Sequence, residues 1–299
     1  MSRVIDTILV PLDGSALAEA ALPLGRDLAA RLGAVLHVVG VSPHDAELAE
    51  VRQFAGRLRE AAQRAGLAAP PVMRVGAAAD QILAAAAEFP HPLIVMTTHG
   101  RSGLGRWLLG GVASRVVRGG EAPVLLLRSG APVPPSSASF RRIMVPLDGS
   151  PYGEAALPLA TMLAQRFDAE LRLVRVAETG QLEESAYLSR FPVPAEVSAE
   201  LIQDLVAQTD AYLAATSERL RSRGLRVYPV TLQGFPTAEL LAQERDALVD
   251  LVVMATHARS GLGRVVVGSV AEELLQAGQR PILMVHPTTG DGEPAVGPC

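Results

Sequence analysis

Short runs of β-branched and aliphatic residues alternate along this chain with longer Ala- and Leu-rich amphipathic stretches. The short runs fit buried strands and the longer stretches fit helices, so the alternation predicts βαβ units. In the first half, strands are expected at residues 4–10, 35–41, 72–75, 93–97 and 124–127, with helices in the gaps. The last helix should begin near Gly110 and end at Gly119-Gly120, after which Pro123 introduces the fifth strand. Five strands joined by right-handed crossovers form a doubly wound parallel sheet, with its ligand crevice beyond the carboxyl ends of the strands.

The pattern occurs twice. VPLDGS stands at residues 10–15 and 145–150, and EAALPL at 19–24 and 154–159, both at an offset of 135. THGRSGLGR at 98–106 returns as THARSGLGR at 256–264, an offset of 158, so the second copy carries 158 − 135 = 23 extra residues. These are expected around residues 178–197, before its second helix. The Pro/Ser-rich stretch at 129–139 reads as a linker. The expected division is a first domain at 1–128, a linker at 129–140, a second domain at 141–287 and a disordered tail at 288–299.

Composition narrows the class without changing it. The 299 residues are 49% hydrophobic and only 4% aromatic, which suits helices packed on a parallel sheet. A net charge of −4 with interspersed acids and bases offers no basic face to a nucleic-acid backbone, so no DNA or RNA partner is expected. The apolar runs fall short of a bilayer span and the first residues lack a signal-peptide build; a cytoplasmic, membrane-free protein is expected. Every basic residue is Arg, which excludes a Walker-A lysine, a Schiff base and a protein-kinase lysine. The single cysteine, Cys299, supports neither a disulfide framework nor a metal cluster.

Three segments converge on the carboxyl edge. In the turn Pro11-Leu12-Asp13-Gly14-Ser15, Ser15 can cap the first helix and Asp13 either projects into the crevice or closes an Asx turn. Pro146, Asp148 and Ser150 repeat it. Val41 and Val176 end the second strands, as core residues or as a wall for a flat base. The third segment runs from Thr97, Thr98, His99 and Gly100 to Gly110 and Gly111 at a helix start. Small residues closing onto a helix N-terminus aim main-chain N–H groups at one point, where the helix dipole favours phosphate. Arg101 and Arg106 add positive charge, and Gly103 lets the loop turn tightly. The second copy offers Ala255, His257, Ala258, Arg259, Gly261, Gly268 and Ser269. The competing reading is a plain flexible loop with solvated arginines.

Together VPLDGS, THGRSGLGR, THARSGLGR, GEAPVLLLR (120–128) and RPILMVH (280–286) resemble the universal stress proteins in their tandem-domain form. The resemblance implies two Rossmann-like domains of the adenine nucleotide alpha hydrolase-like kind, binding ATP with Mg. The family's phosphate pattern of Gly, two residues, Gly, nine residues, then Gly with Ser or Thr falls on Thr97, Gly100, Gly110 and Gly111, and on Ala255, Ala258, Gly268 and Ser269. Each copy departs from it differently: the first lacks the hydroxyl residue and the first Gly, and the second lacks both leading glycines. ATP is expected more in copy one where loop geometry dominates. Asp13, Val41, Asp148 and Val176 are implied on the adenine and ribose side. The resemblance also implies pairing of the two fifth strands in an intramolecular pseudo-dimer, with a homodimer of whole chains left open. Three functions compete: an adenine-nucleotide-binding stress or signalling module without fast catalysis, a nucleotide-free interaction module, and a slow ATP-cleaving enzyme using His99 and His257.

Overall fold

The structure, a computed structural model, describes residues 5–67, 69–98, 109–128, 140–180, 195–260 and 264–287. The linker at 129–139 and the tail at 288–299 lie outside the described residues. In copy one the strands are β1 (Thr7–Leu12), β2 (Val35–Ser42), β3 (Val72–Val75), β4 (Pro92–Thr97) and β5 (Val124–Leu127). Copy two repeats them as β6 (Arg142–Pro146), β7 (Glu170–Ala177), β8 (Val227–Gln233), β9 (Leu251–Ala255) and β12 (Ile282–Val285), with a hairpin of β10 (His257–Ser260) and β11 (Arg264–Val266) between the last two.

Three details differ from the expected elements. β1 starts at Thr7 and runs through Pro11 and Leu12, so the VPLDGS turn begins only at Asp13. Pro11 is accepted there because it lies near the strand end, where a missing donor costs little of the ladder. Second, the stretch after β1 is two helices, Ala16–Glu19 and Leu22–Leu32. The ring of Pro23 cannot share space with the carbonyl four residues before it, that of Glu19, so a continuous helix is forbidden. Pro158 divides Pro151–Glu154 from Leu157–Phe167 for the same reason. Third, the copy-two helix Ala195–Arg221 has 27 residues against 17 in Leu48–Arg64, so the added residues are not all placed before the helix.

Within each copy the order 3-2-1-4-5 makes β1 and β6 central, flanked by β2 and β4 or by β7 and β9. The ten main strands form one sheet, because β5 and β12 hydrogen-bond antiparallel while every other pairing in it is parallel. The register sets Leu125 opposite Leu283, Leu126 opposite Ile282 and Val124 opposite Met284. Leu125 and Leu283 join the core on one face, whereas Leu126, Ile282, Val124 and Met284 join the core on the other. Both hydrophobic layers therefore run through the junction without a seam.

Two arginines bind the junction from outside the strands. Arg128 of copy one donates to the carbonyls of Ala277 (3.0 Å) and Gly278 (2.7 Å), closing the end of helix Ser269–Ala277 of copy two. A cation there meets the negative end of the helix dipole. Arg118 pairs with Glu272 across the same boundary. Among the described residues, no helix is long and apolar enough to cross a membrane.

Leu125, only 2% exposed, packs where both copies share a core. Truncation to Ala should lower the unfolding free energy by about 2–5 kcal/mol, measured by chemical denaturation. Because the core is continuous, the loss should appear in one transition that includes both copies. Two transitions, of which only the first copy's moved, would refute that coupling.

Candidate functional site

Parallel strands put the residues that follow β1, β2 and β4 at one edge, and those that follow β6, β7 and β9 at the corresponding edge of copy two. Since β5 and β12 run antiparallel, these two edges face opposite ends of the molecule. In copy two a cavity of about 870 Å³ opens there. Five of the residues singled out in the sequence line it: Pro146, Asp148, Val176, Ala255 and Ser269. Val174, Leu240 and Met254 supply further apolar wall, and Thr256 and Thr237 bring hydroxyl groups. The floor is the crevice between β6 and β9, where the strand order reverses.

The turn after each first strand is built twice in the same way. Asp13 Oδ1 accepts from the Ser15 N–H (2.9 Å) and hydroxyl (2.6 Å), while Ser15 Oγ accepts from the Ala18 N–H at 3.2 Å. Asp148 and Ser150 repeat these bonds at 2.8 and 2.7 Å, with Gly153 N–H at 3.0 Å on Ser150 Oγ. One oxygen of each aspartate is thus committed to the turn, the plainer of the two readings; in copy two the same residue also lines the cavity. Ser15 and Ser150 serve as helix caps. Gly14 (φ +78°) and Gly149 (φ +87°) occupy the left-handed region that side chains resist.

Each glycine is roofed by an arginine drawn from a different place in the chain. A Cβ at Gly14 would lie 3.3 Å from Arg57 Nε, and one at Gly149 would lie 2.8 Å from the Arg175 guanidinium. Arg175 also sits 4.9 Å from the ring centre of Tyr212, whose hydroxyl donates to Glu154 Oε1 at 3.0 Å. Glu154 binds Arg219 at 2.7 Å, as Glu19 binds Arg64 at 2.8 Å. The glutamate of EAALPL therefore ties each first helix to the helix after the second strand.

The loop ends meet as expected. The Gly110 N–H donates to the Thr98 carbonyl at 2.9 Å, and Gly110 and Gly268 each occupy the N-cap of their helix, leaving Gly111 and Ser269 as first helical residues. Val41, Thr97 and Asp13 end or follow adjacent strands at the copy-one edge. His99, Gly100, Arg101, Gly103 and Gly261 lie outside the described residues. His257, Ala258 and Arg259 belong to β10, so this part of the copy-two loop is a short antiparallel ribbon rather than irregular chain; the β-branched pair Val265-Val266 beside it favours strand.

Sequence reasoning missed the rim formed by Phe235, Pro236 and Thr237, together with Glu178 and Glu273. A signal existed: Gly234 (φ +126°) precedes a helix-opening proline, and Gly76 (φ +139°) holds the same place in copy one. A glycine that turns the chain, then a proline preset for the helix, marks a shaped strand-to-helix turn. Asp148, Glu178 and Glu273 give the described lining three carboxylates and no cation. Among the described residues no group of three or more His, Cys, Asp or Glu side chains could hold a metal ion.

Comparison with known proteins places this geometry. Residues 5–128 and 139–286 each match the model of the Universal stress protein family. The chain belongs to that family. A curated universal stress protein of Methanocaldococcus jannaschii is 30% identical over 147 residues, covering 49% of this chain and 82% of the relative. One of Mycobacterium tuberculosis is 28% identical over 194 residues, covering 65% of this chain and 61% of the relative. Among solved structures, a universal stress protein from Archaeoglobus fulgidus superposes with a TM-score of 0.67 at 17% identity, over 94% of this chain and 98% of that one. A Pseudomonas aeruginosa protein described as a putative universal stress protein gives 0.61 at 18% identity, over 96% and 95%. At these identities the superpositions establish the shared fold of this universal stress protein.

The Tyr212 cluster makes a pH prediction. Burial, reinforced by the neighbouring Glu154 carboxylate, pushes the Tyr212 hydroxyl up to about 12. The unfolded chain ionises it near 10, so the neutral phenol adds stability that is complete below about pH 10 and is lost as pH rises toward 12. Phenolate absorbance should show one tyrosine titrating about two units late, and Tyr212→Phe should remove that component.

Proposed function

We propose that this universal stress protein binds an adenine nucleotide, ATP carried with Mg, at the carboxyl edges of its two copies, as a stress-response or signalling module without rapid turnover. The observation that carries this reading is the copy-two cavity. It joins a flat apolar wall, Val176 with Met254 and Leu240, to the N-terminus of helix Ser269–Ala277, the arrangement a base and a phosphate chain each require. Its volume of about 870 Å³ is ample for a nucleotide. The three carboxylates of the lining oppose a bare triphosphate, so Mg travelling on the phosphates is favoured over the free anion. Asp148 keeps its second oxygen for a ribose hydroxyl, and Pro146 and Ala255 leave room for the ligand. The expectation that loop geometry favours copy one falls on residues 99–108, outside the described residues; on the helix start alone copy one is read as the weaker site, because Gly111 replaces the hydroxyl that Ser269 offers.

Two further parts of the reading follow. The division into domains at 1–128 and 141–287, acting as an intramolecular pseudo-dimer, is proposed from the β5–β12 junction and the doubled family match, and a cytoplasmic location from family membership alone. The protein is read as a binder rather than an enzyme: the described lining carries carboxylates but no histidine, cysteine or cation to form a catalytic set.

Mass spectrometry of the small molecules released on denaturing the purified protein, followed by an ATP-consumption assay, tests the proposal. Retained ATP with negligible turnover is expected. Rapid ADP or AMP formation would support the enzyme, and neither retained nucleotide nor binding heat would leave a nucleotide-free interaction module. Ser269→Ala should weaken binding in copy two by about 1 kcal/mol, roughly fivefold, by calorimetry. Among the described residues a Cβ at Gly111 would meet no heavy atom within 4 Å, so Gly111→Ser should fold normally and strengthen the copy-one site by a similar factor.

A further inference from the structure

At the other, amino-terminal ends of the copy-two strands the balance of charge is reversed. The Glu170 N–H donates to the Arg141 carbonyl and the Leu171 N–H to the Arg226 carbonyl, both at 2.8 Å, which sets the starts of β6, β7 and β8 side by side. A cavity of about 440 Å³ opens there. Arg141, Arg142 and Arg226 line it together with Arg31, which comes from helix Leu22–Leu32 of copy one. Against these four guanidinium groups the described lining sets two carboxylates, Asp168 and Glu170, a local excess of positive charge in a chain whose net charge is −4.

The two carboxylates leave donors over. Asp168 binds Arg226 through its carboxylate at 3.0 Å and through its carbonyl, and Glu170 binds Arg142 Nε at 3.3 Å and, from outside the lining, Arg172 Nε at 3.1 Å. One oxygen of the neighbouring Asp250 accepts from the main-chain N–H groups of Arg141 and Arg142 at 3.0 and 2.9 Å. Arg31 pairs with Asp27 through Nε at 3.3 Å. Among the described residues the Arg141 guanidinium has no hydrogen-bond or ion-pair partner, so its five N–H donors are available. The fold does not require this cluster. The 135-residue offset places Asp6 and Thr7 at the positions of Arg141 and Arg142 (141 − 135 = 6, 142 − 135 = 7), and strand register supports it, since Val10 pairs with Val38 as Val145 pairs with Leu173.

We propose that this cavity binds a small phosphate-bearing polyanion, held between the two copies. The planar fork of a guanidinium matches a pair of phosphate oxygens, and such charge-assisted bonds are stronger than neutral ones. Arg141 and Arg31 receive the ligand's oxygens, while Arg142 and Arg226, steadied by Glu170 and Asp168, add positive field. An excess of two charges favours a multivalent anion over a monovalent one. Because Arg31 belongs to copy one and the other three arginines to copy two, the site is complete only in the joined pair. It lies at the amino ends of β6 and β7, whereas the proposed nucleotide sites lie at carboxyl ends, so the two ligands occupy separate places.

Calorimetric titration of the full chain with sodium tripolyphosphate in metal-free buffer tests this, with orthophosphate as the probe of lower charge. Leaving out Mg sets the carboxylates of the copy-two nucleotide cavity against the probe, so that cavity does not compete. Tripolyphosphate should bind, more weakly as NaCl is raised, and orthophosphate should be about tenfold weaker or worse. Arg141→Gln removes donors that hold nothing among the described residues, so the thermal midpoint should stay and tripolyphosphate affinity should fall about tenfold. Arg31→Gln, on copy one, should weaken tripolyphosphate comparably, whereas Ser269→Ala, in the nucleotide cavity, should leave it unchanged. Absence of tripolyphosphate binding, equal binding of orthophosphate, affinity unaltered by either arginine variant, or a comparable loss in Ser269→Ala would each overturn the proposal.

Discussion

Everything in this molecule is arranged around the antiparallel ladder between β5 and β12. Each strand is four residues of uninterrupted aliphatic side chain, fully buried on both faces, and each ends a parallel sheet whose edge would otherwise present unpaired N–H and C=O groups. An apolar edge of that kind is a template for aggregation unless another strand covers it. Here the partner is carried on the same chain, so closing the edge costs no association entropy and does not depend on protein concentration. The alternation of side chains along the ladder then extends both hydrophobic layers from one copy to the other.

The direction of that ladder constrains function. Because it is antiparallel, the carboxyl edges that follow the β1 and β6 strands point away from each other, and no single small ligand can bridge the two edges. Communication between them would have to pass through the shared core and the Arg128 and Arg118 contacts at the junction. The two halves can also diverge without disturbing one another. Copy two has Arg175 over its glycine turn where copy one uses Arg57, and copy two carries Arg141 and Arg142 where copy one has Asp6 and Thr7. A duplicated domain whose copies drift apart at sites of equal geometry makes each copy a control for the other.

Much of the architecture was legible in the residues. Period and length are local properties, so the strands at 35–41, 72–75, 93–97 and 124–127 were found close to their observed bounds. Periodicity does not carry two features: Pro23 divides by a steric rule a helix that periodicity alone would continue, and the added length of copy two partly enters the helix Ala195–Arg221. The candidate site was half visible. Asp148, Val176, Ala255 and Ser269 could be named because repetition and strand ends mark them, but Phe235, Glu178 and Glu273 reach the same cavity from distant parts of the chain and carry no shared pattern.

By itself, then, the sequence determined the duplication, the βαβ order and the positions of the turns, since each depends on residues close in the chain or repeated along it. The tertiary structure alone decided which oxygen of Asp148 is spent on its turn, which arginine covers each glycine and which arginines gather at the amino ends of β6 and β7. Those outcomes depend on side chains brought within a few ångströms from separate elements, where packing and hydrogen-bond satisfaction are settled jointly and no spacing rule along the chain records the result.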